Sequence, residues 1–398
     1  MNLDVRNVLL YVDDAVRYNA LADELCSLGP THETIAASTH TPTSFGSMHT
    51  GLHPAANGVL SFEHHPAPSV RSVFDIERPE TTMAATGGMN HSLARMFEDP
   101  PRKTIEELEP PFIHVVRRPG GHAPYNGFEW QEYEYRNETA REYLYRVADD
   151  PQRARRDYYR GVKTSFEEFE RVLAVLEQRD LAEETLVIYT SDHGELLGEY
   201  GFFGHTHLAT PEIVYIPTTF IHPSLSPERA SSLLHHVDLL PTIEAVSEDE
   251  IDIGRTHGTA FGENRTRGYN HFEHVHYGTM PRTLRAVGDF FGGFERTVRS
   301  LWDRSGGHVF TSGSTVTSSI VYLGLLSRTP EGRQILRNHR VRALYSRFVP
   351  GHRSYRSPGF TQEEALAEIG TLATDVDTPN TERLDDDAVE RLRDLGYM

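Results

Sequence analysis

Tyr189-Thr190-Ser191-Asp192-His193-Gly194-Glu195 closes an apolar run, Thr185-Leu186-Val187-Ile188-Tyr189. The run reads as a β-strand, with a carboxylate and an imidazole side by side where it stops. In open α/β sheets, ligands bind beyond the carboxyl ends of the strands. Asp192 and His193 therefore read as two ligands of one metal, because carboxylate oxygen and neutral imidazole both suit a divalent ion. The competing reading makes Asp192 the cap of a following helix, with His193 exposed beside it.

A second strand end has the same character. Val8-Leu9-Leu10-Tyr11-Val12 is a short continuous apolar run, as in a strand buried on both faces, and Asp13-Asp14 follow it. In isolation two such Asp residues are turn and cap formers. Two strand ends of one sheet bearing ligand-type side chains point instead to a shared site. Carboxylates converging at ~4 Å without a cation would cost about 4 kcal/mol per pair at an effective dielectric near 20, so convergence requires a metal. Further strands are read at Thr34–Ser38, Thr81–Ala85, Phe112–Val116 and Ile216–Ile221. Tyr159, Val162, Phe166, Phe169, Leu173 and Leu176 recur at helical spacing and mark an apolar helix face packed on the sheet.

After the second strand, His40-Thr41-Pro42-Thr43-Ser44-Phe45 leads into a short helix stopped by Gly51. A helix N-terminus offers N–H groups and partial positive charge, a natural seat for a tetrahedral oxyanion near Thr41 to Ser44. A hydroxyl beside a metal can lose its proton and act as a nucleophile. An ordinary Ser/Thr cap explains the same residues without chemistry.

Composition sets the outer bounds. The 398 residues suffice for two domains, or for one large domain with an annex. The formal charge of −19, from 39 basic and 58 acidic residues, argues against nucleic acid and anionic membranes as partners. Lys103 and Lys163 are the only lysines. Acidic excess carried opposite arginine fits a cytoplasm of high salt, where the Debye length falls to ~3 Å. The single cysteine, Cys26, excludes an internal disulfide and a Cys-built metal site. Without a long apolar run or room for a signal peptide ahead of the first strand, a soluble cytoplasmic protein is expected.

Asp13-Asp14, the hydroxyl before a helix ending Thr50-Gly51-Leu52-His53-Pro54, Gly58-Val59, and the run from Ser191 to Gly201 together resemble the sulfatase family of the alkaline phosphatase superfamily. The resemblance implies an α/β sandwich, a mixed and mostly parallel sheet flanked by helices. Residues 1–262 would form the catalytic domain, and 263–398 a smaller region with antiparallel strands and helices. Counting back ten residues from Gly51 puts Thr41 at the family's nucleophile position. Thr43 and Phe45 then stand where the family has Pro and Arg. In the family the nucleophile is a formylglycine made from Cys or Ser, an aldehyde that Thr41 cannot become. Threonine nucleophiles occur elsewhere in the superfamily, in phosphodiesterases and lipid phosphoethanolamine transferases.

The resemblance further assigns His122, in Gly121-His122-Ala123-Pro124-Tyr125, to the leaving-group oxygen. It gives His205 a position where a family Lys grips the transferred anion. His207 is expected to touch substrate or metal, and Ser44 to line the substrate site. Asp13, Asp14, Asp192 and His193 would hold one divalent ion. All-oxygen ligation would suit calcium, whereas His193 favours zinc or manganese. His235 to Thr242 reads as structural. Ser312 to Ser319 reads as a loop, Thr361 to Glu364 as a capping box, Leu284–Asp289 and Ser300–Asp303 as strands of the carboxyl-terminal sheet, and the Leu395-Gly396-Tyr397 ending as the family's tail.

The expected function is metal-dependent hydrolysis of sulfate esters, small or on glycans, by in-line displacement. The rivals are a phosphodiesterase or phosphoryl-group transferase using Thr41, and a non-catalytic binding protein on the same scaffold. Oligomeric state is not legible.

Overall fold

The structure, a computed structural model, describes residues 3, 5–84, 88–125, 139–205, 208–248, 251–274, 295–328, 330–338, 340–372, 380–381 and 389–390. Its strands are β1 (Asn7–Asp13), β2 (Pro30–Ile35), β3 (His64–His65), β4 (Glu80–Ala84), β5 (Arg102–Lys103), β6 (Phe112–Arg118), β7 (Thr185–Ser191) and β8 (Leu196–Leu197). Then follow β9 (Phe203–Gly204), β10 (Tyr215–Ile221), β11 (Glu228–His235), β12 (Gly268–His274), β13 (Arg296–Trp302), β14 (Gly306–Gly313), β15 (Gly351–Arg356) and β16 (Asn380–Thr381).

The main sheet runs β11-β2-β10-β7-β1-β6-β4-β5. Within it β10 is antiparallel to both neighbours, and the other pairings are parallel. Parallel neighbours need crossovers, and the helices that make them cover both faces. That is why β1 buries all seven of its residues and reads as an unbroken apolar run. The pleat divides them. Val8, Leu10 and Val12 face one core with Phe45, Met48, Leu93 and Leu240, from the helices Thr41–Thr50, Gly88–Met96 and Leu239–Val246. Leu9 and Tyr11 face the other, with Leu21, Val162 and Phe169 from the helices Tyr18–Leu25 and Pro151–Gln178. The result is the α/β sandwich expected.

β12, β13, β14 and β15 form an antiparallel sheet in that order. One face packs Tyr269 and Leu301 against Phe360, Ala365 and Ile369 around the helix Gln362–Leu372. Phe272, Val298 and Trp302 pack with Ile35, Val214 and Leu233 of the main domain. Thr361 and Glu364 make the reciprocal bonds of a capping box ahead of that helix. The loop expected from Ser312 to Ser319 is largely helix: Thr315–Arg328 is helical. Its polar start serves as a cap, with Thr317 and Ser318 N–H donating to Ser314, and Tyr322 and Leu326 bury behind it. The expected strand Leu284–Asp289 and the Leu-Gly-Tyr tail lie outside the described residues. Among those described, no helix is long and apolar enough to cross a membrane.

Candidate active site

Parallel register builds the site. Asp13 stands opposite Ser191 on β7 and Arg118 on β6. Asp14 and Asp192 are therefore the first residues beyond two neighbouring strand ends. Two glycines tighten the loops around them. A Cβ at Gly120, where φ is +49°, would run into the Asp14 backbone, and one at Gly194 into the Glu212 carbonyl. Gly121 N–H donates to Asp14 O at 2.7 Å and Gly194 N–H to Ile213 O at 2.7 Å. Those contacts fold the loops bearing His122 and His193 over the strand ends.

Asp14, Asp192 and His193 form one fully buried group with ligand atoms within 4.8 Å of one another. Asp192 Oδ1 accepts from the Ala15 and His193 amides at 3.0 and 2.9 Å. Its Oδ2 is buried, accepts no hydrogen bond, and lies 3.5 Å from His193 Nε2. His193 Nδ1 is 3.0 Å from the Gly194 carbonyl. A carbonyl only accepts, so the hydrogen sits on Nδ1 and the Nε2 lone pair is presented to the carboxylates. An orphaned carboxylate oxygen, a second carboxylate and an imidazole lone pair in a water-poor pocket fit a divalent cation. Thr41 Oγ1 reaches the same His193 Nε2 at 3.1 Å. It lies at the start of the helix Thr41–Thr50, with Pro42 in the first turn.

Asp13 departs from expectation. Its carboxylate accepts from Ser165 and Tyr189, each at 2.7 Å, and it does not enter the group of three. The pleat explains this: Asp13 continues the series Leu9, Tyr11 toward the helix Pro151–Gln178, while Asp14 leaves the strand on the other side. Burial pushes Asp13 up to about 6, against those two hydroxyl donors. Ser44 also turns away from the expected role, its hydroxyl donating to Ser38 O at 3.2 Å. Phe45, at the family's Arg position, packs in the core and stacks on His49. His207 lies outside the described residues.

His122 and His205 gather beside the ligands. The His205 ring centroid is 4.0 Å from that of His193 and 5.4 Å from that of His122. Three partners in this site carried no role in the sequence reading. Arg117 is buried and ion-paired with Asp14. Glu195 meets His205 Nδ1 at 2.7 Å through Oε2 and accepts from the Tyr125 hydroxyl at 2.7 Å through Oε1. A signal existed for Arg117, a cation at a strand position opposite Val12 where both faces are covered. Burial works to raise Asp14, but Arg117 and then His122, His193 and His205 overcome it and lower its pKa. Burial and the Asp14 charge raise Asp192 to about 6, and burial raises Glu195 to about 7. Burial holds His205 well below the usual histidine range.

The sheet order and the sandwich are those of an alkaline-phosphatase-like fold. A family model described as sulfatase matches residues 75–246, and that stretch is a sulfatase-family region. A Haloferax volcanii protein named low-salt glycan biosynthesis sulfotransferase is 35% identical over 250 residues, 59% of this chain and 59% of that one. An uncharacterized sulfatase of Escherichia coli is 35% identical over 68 residues, 17% of this chain and 14% of that one. The chain thus spans less than two thirds of the length of either relative. Among solved structures, a 2-O GAG sulfatase superposes with a TM-score of 0.59 at 13% identity, covering 86% of this chain and 91% of that one. A phosphonate monoester hydrolase of Agrobacterium radiobacter gives 0.58 at 12% identity, covering 95% and 100%. At such identities these two describe the fold.

Proposed function

We propose that the protein cleaves or transfers the sulfuryl group of a sulfate ester through Thr41. The observation that carries this reading is the Thr41 hydroxyl at the head of its helix, 3.1 Å from His193 Nε2 and beside two buried carboxylates. Asp14, Asp192 and His193 would hold one divalent ion, and the mixed oxygen and nitrogen donors favour zinc or manganese over calcium. Such an ion would supply charge neutralisation for the ester oxygens and a lower pKa for a neighbouring hydroxyl.

The residues divide the remaining work. Thr41 oxygen forms a bond to sulfur as the ester oxygen leaves in line, so the group passes to the threonine. The Thr41 hydroxyl proton goes to the Nε2 lone pair of His122 or His205, and the same imidazole hands it to the departing alkoxide. Water or a second alcohol then attacks sulfur and gives its proton to the same nitrogen, which returns it to the Thr41 oxygen as that oxygen leaves. Pro42, lacking an N–H, and the first-turn amides fix the hydroxyl at the positive end of the helix.

Transfer to a glycan hydroxyl is favoured over hydrolysis by the name of the Haloferax volcanii relative. Localisation in the cytoplasm accords with both outcomes. The test is chelator-treated protein reloaded with zinc, manganese, magnesium or calcium and assayed on an aryl sulfate and an aryl phosphodiester, with and without a sugar acceptor. Metal-dependent turnover of the sulfate, with sulfated sugar appearing when acceptor is added, is expected. Turnover of the diester alone would make the phosphoryl reading correct. Uptake of no metal and turnover of neither would leave a binding scaffold.

A further inference from the structure

His205 lies against both His193 and His122, and each of the three presents Nδ1 to an acceptor. For His193 and His122 the acceptor is a main-chain carbonyl, Gly194 O at 3.0 Å and Ala123 O at 2.7 Å. For His205 it is the side chain of Glu195, at 2.7 Å. The carbonyls belong to the neighbouring residues and hold their rings wherever the backbone goes. Glu195 comes from a different loop, ten residues away, and its own geometry is fixed from behind by Tyr125, 1% exposed, whose hydroxyl donates to the second oxygen. Glu195 is itself 1% exposed, so no water competes for either bond. A buried carboxylate is costly unless its oxygens are hydrogen-bonded, and both oxygens of Glu195 have a partner.

We infer that Glu195, braced by Tyr125, is a positioning residue that holds His205 in the tautomer with hydrogen on Nδ1. With Tyr125 donating to Oε1, Oε2 is left to accept from His205, so the contact selects N–H at Nδ1 and leaves Nε2 as the lone-pair nitrogen. The inference rests on the reading that His205 serves the displacement, and it assigns Glu195 a place in that reading. Without Glu195 neither ring nitrogen of His205 is preferred by that wall of the pocket, and the fraction of molecules in the working tautomer falls. Support of this kind is worth about 10–100-fold in activity.

The test uses metal-free protein and heteronuclear NMR of the histidine ring nitrogens at about pH 8.5, well above Glu195, which burial raises to about 7, with His205 assigned by loss of its signals in His205→Asn. In the native protein His205 is expected to show one tautomer with hydrogen on Nδ1. In Glu195→Ala it is expected to show hydrogen on Nε2 or an exchange average, while His193 and His122 keep their signals. Glu195→Gln, nearly isosteric, decides the question should the alanine variant not fold, because an amide NH2 against Nδ1 drives the hydrogen to Nε2. An Nε2 hydrogen in the native protein, or an unchanged His205 in either variant, overturns the inference. In metal-loaded protein kcat is expected to fall 10–100-fold in Glu195→Gln with KM little changed. A native protein that turns over no ester refutes the function while the tautomer result stands. Turnover with an indifferent tautomer refutes only the role of Glu195.

Discussion

Thr41 occupies the first position of a helix, where a threonine has the everyday use of a cap. The cap position is in fact His40, whose side chain makes no capping bond, and Thr41 Oγ1 instead meets His193 Nε2. Thr41→Val keeps the volume and removes the hydroxyl. Steady-state assay on an aryl sulfate should show kcat reduced by at least ~10³-fold, with Thr41→Ser retaining measurable turnover. Equal activity in Thr41→Val would remove the nucleophile from the proposal. Asp192, just past the end of β7, and Asp13, the last residue of β1, give a sharper contrast. Asp192 Oδ2 is uncommitted to hydrogen bonds, whereas both Asp13 oxygens are held by Ser165 and Tyr189. Calorimetric titration with zinc or manganese should find affinity lowered at least ~10–100-fold in Asp192→Asn and nearly unchanged in Asp13→Asn. A ligand role for Asp13 would appear as an equal loss in both. The adjacent pair was legible as a site, but the division of labour within it was not read. Adjacent strand residues point to opposite faces, and that rule applied to Asp13 and Asp14 separates them before any coordinates.

The elements around Thr41 show what sequence pattern conveys and what it leaves out. β1 and β7 were legible because burial on both faces forces unbroken apolar runs, and their ends carried the ligands. The hold that β12 takes on the Thr41 segment was not, because it is made by hydrogen bonds to backbone carbonyls between residues far apart in the chain. Asn270 Nδ2 donates to Ala36 O at 2.8 Å, and His271 N–H donates to Ala37 O at 2.8 Å. Phe272 then sets its ring against His40, with centroids 6.0 Å apart. The antiparallel sheet thus braces the turn from which the Thr41 helix starts. Asn270→Ala leaves the buried Ala36 carbonyl without that donor, a loss of about 1–3 kcal/mol. Chemical denaturation should register it as a lowered midpoint at unchanged slope, and kcat should fall with it because the helix start loosens. A full loss of stability with kcat intact would mean that the sheet supports the fold and not the site. Arg117 and Glu195 were missed for a related reason. Glu195 sits in the quoted stretch and Arg117 one residue past the strand read at Phe112–Val116, but the partner of each, His205 or Asp14, is fixed only when loops from different strands meet.

At the scale of the whole molecule the unusual feature is how many histidines are buried and neutral. Burial lowers His49 to about 4 and His114 to about 3, and it lowers His40, His53, His235, His236 and His257 in the same direction. A histidine whose folded pKa lies below the ordinary 6.5 binds protons first in the unfolded chain. Its contribution is complete above 6.5 and is lost as pH falls from there to the folded value, about 4 for His49. Each such group is worth a few kcal/mol across that window, at ~1.4 kcal/mol per pH unit. Raised carboxyls run the other way. Asp13 at about 6 and Glu195 at about 7 bind protons first in the folded state and stabilise it as pH drops toward their ordinary 3.8 and 4.5. The histidines outnumber them, so the sum favours unfolding. Chemical denaturation at constant high salt should give a midpoint that falls steadily between about pH 6.5 and 4. Loading the metal should raise the midpoint near neutrality by mass action and steepen its fall, because ligands must shed protons to bind. A midpoint level or rising across that interval would mean that these imidazoles reach solvent, and that the packing described around His49 and His114 does not hold in solution.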